Sequence, residues 1–374
     1  MKTILYYGQH PREASGFGVV VRYFLYYLKK YNIKYIVNYS PGYIQEPTKY
    51  GKNVEIIGIY SPEGFSRMLQ ITDPDLVVCH GAYPHTSYFL QSWAKFKEGY
   101  TKQSGLPPVL LYTVTDLPPY PLSLKKDLEQ IEDLTIVTPS YSSKQVVEAS
   151  GLKVASVVPH GVSTFFRPMN VTAPKGFIWG NISFNNIRKC LDRFLQAYVN
   201  MGMLGRVFFV TQPYGLMKAL SYKLPQVMMK QGIPKEKVIW EQTQAAGLVL
   251  RYIELPKIIN QFDAMVSSSG GESFGLPALE ACACGVPNIV TDLPVYREIL
   301  EDAALYAKIK DYFYFSWGNL ALVDIEDLAQ KMKLLYEDDE LKLKLAEKGL
   351  QIAKKYTWAN AGKKLNKVVK GILE

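Results

Sequence analysis

Two α/β domains in tandem, each a parallel sheet covered by helices on both faces, are predicted by three features of this sequence. Short apolar runs rich in β-branched residues alternate with helical stretches through the first half. The alternation breaks at FFRPMNVTAP, residues 165–174, which has two prolines and no periodicity, and then restarts. The length, 374 residues, suits two domains at about 150 residues each.

In chain order, residues 2–7 (KTILYY) read as a strand ending at Gly8. A loop through Gly16 and Gly18 leads into a helix over 19–31, apolar almost all round and so expected to be buried. Strands are expected at 35–39, 54–59, 76–79, 109–114 and 135–138, with helices between most of them. After the proline passage, strands are expected at 176–180, 206–211, 237–240, 264–267 and 288–291, and helices near 189–201, 245–261 and 277–284. The end, 325–348 and 358–370, is helical and lysine-rich. Such doubly wound, Rossmann-like sheets bind ligands at the carboxyl ends of their strands, so the expected site is a cleft faced by the two domains.

Composition removes several classes. Hydrophobic residues at 48% and charged residues at 21% exclude a disordered or collagen-like chain. No run approaches the roughly 18 apolar residues of a membrane span. The first residues, MKTILYYGQH, carry one lysine and no small-residue cleavage site, so no signal peptide is expected. Four cysteines make no disulfide framework, and Cys282 and Cys284 lack a second pair or a nearby histidine for zinc. A cytoplasmic location, with association at a membrane face, is the expectation. The net charge of +9 favours polyanions: nucleotides, nucleic acid or an anionic membrane.

The chemistry concentrates in SSSGGESFGLPALEACACGVPNIVTD, residues 267–292. Gly270, Gly271 and Gly275 allow the backbone to approach a ligand. Pro277 suits a first helical turn, and Gly285 with Pro287 suits its end. A loop feeding a helix N-terminus offers free amides and a positive dipole end, which suits a diphosphate. Glu272 and Glu280 are eight positions apart. At about 1.5 Å per helical residue this exceeds the separation of about 5 Å in retaining hydrolases. Two separate grips on a polyhydroxy ligand fit better.

GGESFGLPALEACACGVP resembles the E-x7-E signature of retaining glycosyltransferases of family 4, which have the GT-B fold. Four further passages resemble that family in order: DLVVCHGAYPH at 75–85, residues 135–168 from TIVTPS to the Arg-Pro exit, GNISFNNIRKCLDRFLQAY at 180–198, and the closing YTW at 356–358. The resemblance implies an N-terminal acceptor domain over 1–166, a linker over 167–174, a nucleotide-sugar domain over 175–355 and a helix at 356–374 packing back on the first domain. It implies that Glu280 bonds the donor's ribose hydroxyls and Glu272 the hydroxyls of the transferred sugar. Amides around Ser273, Phe274, Gly275 and Leu276 would face sugar and phosphates. Arg188 and Lys189 would neutralise the diphosphate leaving group, in place of a metal. His80, at a strand end, would touch substrate. Gly180 and Asn181 match the family's Gly-Arg segment, although the arginine is Asn181 here. Gly16 and Gly18 would approach donor phosphate or acceptor. Thr115 and Asp116 stand where many members carry a histidine, which makes Asp116 a candidate on the acceptor side.

The function so implied is metal-independent, retaining transfer of a hexose from a nucleotide diphosphate sugar to an acceptor hydroxyl, on a carbohydrate or a lipid-linked molecule. No cofactor is expected and no resident metal; the donor's base is expected to be that of UDP or GDP. Two other readings stay open: a basic nucleic-acid-binding protein, whose affinity would fall steeply with salt, and a nucleotide-sugar-binding relative that never turns donor over. A GT-B epimerase or phosphorylase has no motif in its favour. SWAKFKEGYTK, residues 92–102, interleaves Trp93, Phe96 and Tyr100 with Lys95, Lys97 and Lys102, an interfacial pattern that would hold the protein at an anionic membrane. The six lysines between 354 and 370 fit the same idea or a solvated helix face. Asp73-Pro74-Asp75 precedes its strand and reads as a turn, not a metal site.

Overall fold

The computed structural model describes residues 1–11, 13, 15–37, 48–49, 52–58, 62–99, 105–214, 220–241, 252–316 and 318–374. The chain divides into two compact units, Met1–His160 with Trp358–Glu374, and Gly161–Thr357.

The first unit holds strands β1 (Thr3–Gly8), β2 (Asn32–Val37), β3 (Thr48–Lys49), β4 (Val54–Gly58), β5 (Leu76–Gly81), β6 (Val109–Thr113), β7 (Leu134–Thr138) and β8 (Val154–Val157). Their order in the sheet is β3-β4-β2-β1-β5-β6-β7-β8, and every ladder is parallel except that of β3 with β4. The order reverses between β1 and β5, which makes their carboxyl ends the switch point where such sheets take ligands. Helices α1 (Gly16–Tyr27), α2 (Pro62–Thr72), α3 (Tyr83–Gly99), α4 (Leu122–Leu128) and α5 (Tyr141–Glu148) connect the strands. Leu5, Val77, Leu111 and Ile136 from the sheet pack with Phe65, Phe89 and Phe96 from the helices.

The second unit holds β9 (Ile178–Ile182), β10 (Arg206–Val210), β11 (Val238–Glu241), β12 (Ala264–Ser267), β13 (Asn288–Thr291) and β14 (Ala304–Ala307), with helices α6 (Leu191–Asn200), α7 (Leu224–Lys230), α8 (Leu255–Ile259), α9 (Leu276–Ala283), α10 (Pro294–Leu300), α11 (Ile325–Glu337) and α12 (Asp339–Lys355). All five ladders of this sheet are parallel, in the order β11-β10-β9-β12-β13-β14, and the switch point lies between β9 and β12. A separate antiparallel ribbon, β15 (Ile309–Phe315) and β16 (Gly318–Val323), follows β14. The last helix, α13 (Trp358–Leu373), belongs to the first unit: Trp358 stacks on Tyr23 of α1 at 4.3 Å, and the Asn366 amide donates to the Tyr27 carbonyl at 2.9 Å.

Two doubly wound Rossmann-like domains are therefore present, as the βα rhythm predicts. The domain boundary differs from the sequence expectation. Residues 161–174 group with the second unit, because the Val162 amide donates to the Tyr356 carbonyl at 3.0 Å and the Met169 amide to the Asn260 side chain at 2.7 Å. The helical run expected over 325–348 is two helices. Asp338 is extended (φ −112°, ψ 95°) and caps α12 by accepting from the Leu341 amide. Residues 38–39, 59 and 245–251 of the expected elements, and Tyr100 and Lys102, lie outside the described residues.

The interfacial reading of 92–102 is overturned for Trp93 and Phe96. Trp93 and Phe96 are buried in the first unit's core, as their three-residue spacing on α3 allows, and Lys95 pairs with Glu63. No helix among the described residues is long and apolar enough to cross a membrane.

Gly362 marks the tightest approach of α13 to α1: a Cβ there would sit 2.2 Å from the root of the Tyr27 ring. Gly362→Leu is expected to lower stability by about 1–3 kcal/mol, as overpacking does. Thermal melting checks it, with Gly371→Leu, which meets nothing within 4 Å, as the neutral control.

Candidate functional site

At the second unit's switch point, β9 and β12 each end in a loop, and the two loops are bonded to each other. After β9 the chain makes one turn of 3-10 helix, Ile187–Lys189, and reaches Cys190 in the left-handed region (φ 45°, ψ 43°). A non-glycine residue there costs about 1–3 kcal/mol and persists only where its surroundings impose it. They do so here. The Ser268 hydroxyl donates to the Lys189 and Cys190 carbonyls at 2.8 and 3.0 Å, and the Gly270 amide donates to the Arg188 carbonyl at 2.8 Å. Gly270 must be glycine, because a Cβ would lie 2.1 Å from the Ala321 carbonyl oxygen.

This stitching brings Arg188 and Lys189 onto Glu272. Lys189 forms an ion pair with the carboxylate, Arg188 lies 3.3 Å from the same oxygen, and the Arg188 guanidinium also donates to the Gly271 carbonyl. The Glu272 side chain is only 11% exposed. Burial alone would raise its pKa. Lys189 first, then Arg188, with hydrogen bonds from Lys189 and Ser269, outweigh burial and bring it down to about 2. Two cations on one carboxylate leave a net positive centre at a sheet switch point, a place suited to an anion.

Glu280 has the opposite environment. It lies in α9, almost wholly buried, where the Tyr252 hydroxyl donates to it at 2.5 Å. Burial pushes its pKa up to about 8, and the tyrosine's bond opposes that only in part. Tyr252 is itself packed edge-on against Phe165 at 5.4 Å and tilted on Phe166 at 5.2 Å. Gly275 caps α9 with φ +85°, and a Cβ there would meet the Tyr296 ring at 2.6 Å; the Tyr296 hydroxyl in turn bonds Ser267 at 2.8 Å. Ser273, Phe274 and Leu276 are buried along this loop, and Phe274 meets Tyr356 edge-on at 5.7 Å.

Two expected donor contacts are accounted for by packing. A Cβ on Gly180 would sit 2.0 Å from the Phe262 ring, so its missing side chain makes room for the core. Asn181 is buried and spends its amide on the Val266 carbonyl, at 2.8 Å, tying β9 to β12, while its oxygen accepts from Ser183 at 2.8 Å. Gly18, too, is explained locally. It follows the helix cap, its amide donates to Ser15 Oγ at 3.2 Å, and a Cβ would lie 2.2 Å from the Glu13 carbonyl oxygen. Gly16 opens α1 and is exposed.

In the first unit His80 ends β5 beside the β1–β5 switch point. Its Nδ1 bonds the Tyr6 hydroxyl at 3.0 Å, and its ring lies against Phe24 and Tyr112. The other nitrogen, Nε2, is buried and finds no partner among the described residues. Burial, then His160 and His85, hold the imidazole well below its usual pKa, so it is neutral. His85 shares a bond with Gln9 at 3.2 Å, and burial lowers its pKa to about 4. Asp116 is half-buried in the loop after β6. Sequence reasoning missed Tyr252 and Tyr296. Neither sits in a motif, and a lone tyrosine gives no spacing to read.

Among the described residues no three of His, Cys, Asp and Glu stand close enough to hold a metal ion.

Residues 232–352 match the family described as Glycosyl transferases group 1. Over 203 residues the chain is 28% identical to D-inositol 3-phosphate glycosyltransferase of Corynebacterium urealyticum, covering 48% of this chain and 44% of that protein. Over 75 residues it is 40% identical to the O-antigen chain mannosyltransferase RfbU of Salmonella typhimurium, covering 20% of each. The matches thus span less than half the length of these relatives. Among solved structures, sucrose-phosphate synthase from Thermosynechococcus elongatus superposes with a TM-score of 0.77 at 15% identity, covering 100% of this chain and 99% of that one. Anabaena HepE in complex with UDP-glucose gives 0.75 at 13%, covering 99% and 100%. At these identities the likeness is one of fold.

The raised Glu280 pKa has a consequence for stability. Its folded value, about 8, lies above the ordinary 4.5, so the folded state holds the proton longer than the unfolded chain. Stability is therefore lost as pH rises from about 4.5 to about 8. Glu280→Gln is expected to match wild type near pH 4.5 and to melt higher above pH 8. The gain is at most about 5 kcal/mol, at about 1.4 kcal/mol for each pKa unit. Melting curves of both proteins across that range check it. A difference independent of pH would show that Glu280 is ionised throughout.

Proposed function

We propose, from the match of residues 232–352 to Glycosyl transferases group 1 and from the GT-B fold, that the chain transfers a hexose, with retention and without a metal, from a nucleotide diphosphate sugar to an acceptor hydroxyl. The observation that carries the reading is the Arg188–Lys189–Glu272 cluster at the second unit's switch point, beside the N-terminus of α9. Its net positive charge would receive the diphosphate and stabilise the charge that develops as the sugar's C–O bond breaks. Support for UDP as the donor's nucleotide comes from HepE, whose structure contains UDP-glucose; GDP is the other candidate. A relative from Campylobacter jejuni, 31% identical over 105 residues, is named for an undecaprenol-linked acceptor, and this supports a lipid-linked acceptor class beside free carbohydrates.

In this proposal Glu280 accepts from the ribose hydroxyls, exchanging its bond from Tyr252 for theirs. Glu272, kept ionised by its two cations, accepts from hydroxyls of the transferred sugar. The amides at the start of α9 face the phosphates. The unpartnered Nε2 of neutral His80 offers a bond to the sugar, and Asp116 serves the acceptor side. The acceptor attacks on the face from which the phosphate leaves, and that phosphate takes its proton. The protein's contribution is positioning and charge stabilisation.

Glu280→Ala is expected to weaken donor binding by about 1.5–3 kcal/mol, and Glu272→Ala to slow transfer by a similar amount. Titration with UDP-glucose and initial-rate kinetics separate the two, and near wild-type behaviour in both variants would remove the assignment. Transfer is also expected to survive EDTA at full rate. Loss on chelation, restored by Mg²⁺ or Mn²⁺, would refute the metal-free leaving-group scheme.

A further inference from the structure

The β15–β16 ribbon is rigidly rooted. The Lys308 amide donates to the Asp327 carboxylate at 2.8 Å, Arg193 donates to the Val323 carbonyl at 2.8 Å, and the Ala321 amide donates to the Gly270 carbonyl at 2.9 Å. β16 turns Leu320, Ala321 and Val323 inward. β15 buries nothing: from Lys310 to Tyr314 every residue is exposed. Tyr312, Phe313 and Tyr314 are 43%, 53% and 70% exposed, a concentration of large apolar side chains that a soluble surface seldom tolerates.

The arrangement of these rings selects among occupants. Side chains alternate along a strand, so Phe313 and Phe315, whose rings lie 4.7 Å apart, share one face while Tyr312 and Tyr314 share the other. A sugar chain or a flat protein surface would cover one face only. A second copy pairing along the strand edge would use the backbone and leave both sets of rings in water. Polarity changes along the ribbon instead: Lys308, Lys310 and Asp311 stand at its base, and the aromatic residues follow toward the turn at Ser316. This is the profile of an element that dips endwise into a bilayer interface, where Tyr and Phe rings settle and lysines meet the headgroups. Both lysines are exposed; Lys310 lies 3.8 Å from Asp324 yet its side chain is 70% exposed, and the chain's net charge of +9 is complementary to an anionic surface.

We propose that the tip of this ribbon, residues 312–315, inserts into the interface of an anionic phospholipid bilayer. The bond from Ala321 to Gly270 would then hold the loop bearing Glu272 at the membrane. The inference stands on the ribbon alone and is independent of the donor chemistry.

Flotation of the full chain with vesicles of phosphatidylcholine and phosphatidylglycerol in equal parts tests it. Wild type is expected to float. Phe313→Ser with Tyr314→Ser should lower the partition coefficient about tenfold or more, and Lys310→Gln about fivefold, as one lysine near such a surface does. Because these side chains are exposed, the melting temperature should stay unchanged, which separates loss of binding from loss of fold. Wild type remaining with the soluble fraction would overturn the proposal, as would equal flotation of the double variant. A change confined to sedimentation in the absence of vesicles, or to binding of oligosaccharides, would overturn it in favour of a second copy or a glycan.

Discussion

A carboxylate held between two cations, with little access to water, is the constraint on which the second unit's loops depend. Removing Glu272 would take a shared counter-charge from Arg188 and Lys189, and removing either cation would take one of two positive charges from a buried anion, a change that typically costs about 3–5 kcal/mol. The backbone has been shaped to make the triad possible. Cys190 is held left-handed, Ser268 and Gly270 bind the turn before it, and Gly270 has no room for a side chain against Ala321. The strain at one residue is offset by several hydrogen bonds, and the result is a centre of fixed charge where the sheet changes direction.

The two glutamates of the same loop and helix are set apart by what surrounds them. Glu272 faces two cations and is held near pKa 2; Glu280 faces a tyrosine hydroxyl and is pushed to about 8. One is an anion at any physiological pH and the other shares its proton with the medium. A charged group pre-oriented by its partners suits contact with a sugar whose leaving bond is breaking. A carboxylate held by one neutral donor can exchange that donor for a ligand's hydroxyls. Environment, more than residue type, separates the two roles.

Much of the fold was legible because it is written in continuous apolar strands. β1, β5, β6, β12 and β13 all bury their full length or nearly so and read directly from TILYYG, LVVCHG, VLLYT, AMVS and NIVT. Elements that bury little were not legible: β8 (VASV) is half exposed, and β15 (IKDYFYF) faces solvent along its length. The Glu272 loop was visible through its glycines and the helix signals after it. Its partners were visible only as neighbours in sequence, and their convergence needed the β9–β12 pairing. Gly180 and Asn181 were legible only as motif positions, and their contacts with the Phe262 ring and the Val266 carbonyl needed the folded sheet. The aromatic–basic pattern at 92–102 misled because a pattern cannot say which face of α3 is turned inward.

A crystal structure of the protein with UDP bound tests the central claim most directly. The expected result is a diphosphate whose oxygens lie about 2.7–2.9 Å from the Arg188 guanidinium or the Lys189 ammonium, with Glu280 Oε1 released from Tyr252 onto the ribose. A diphosphate bound away from both cations, with the Glu272 triad and the Tyr252–Glu280 bond intact, would contradict it.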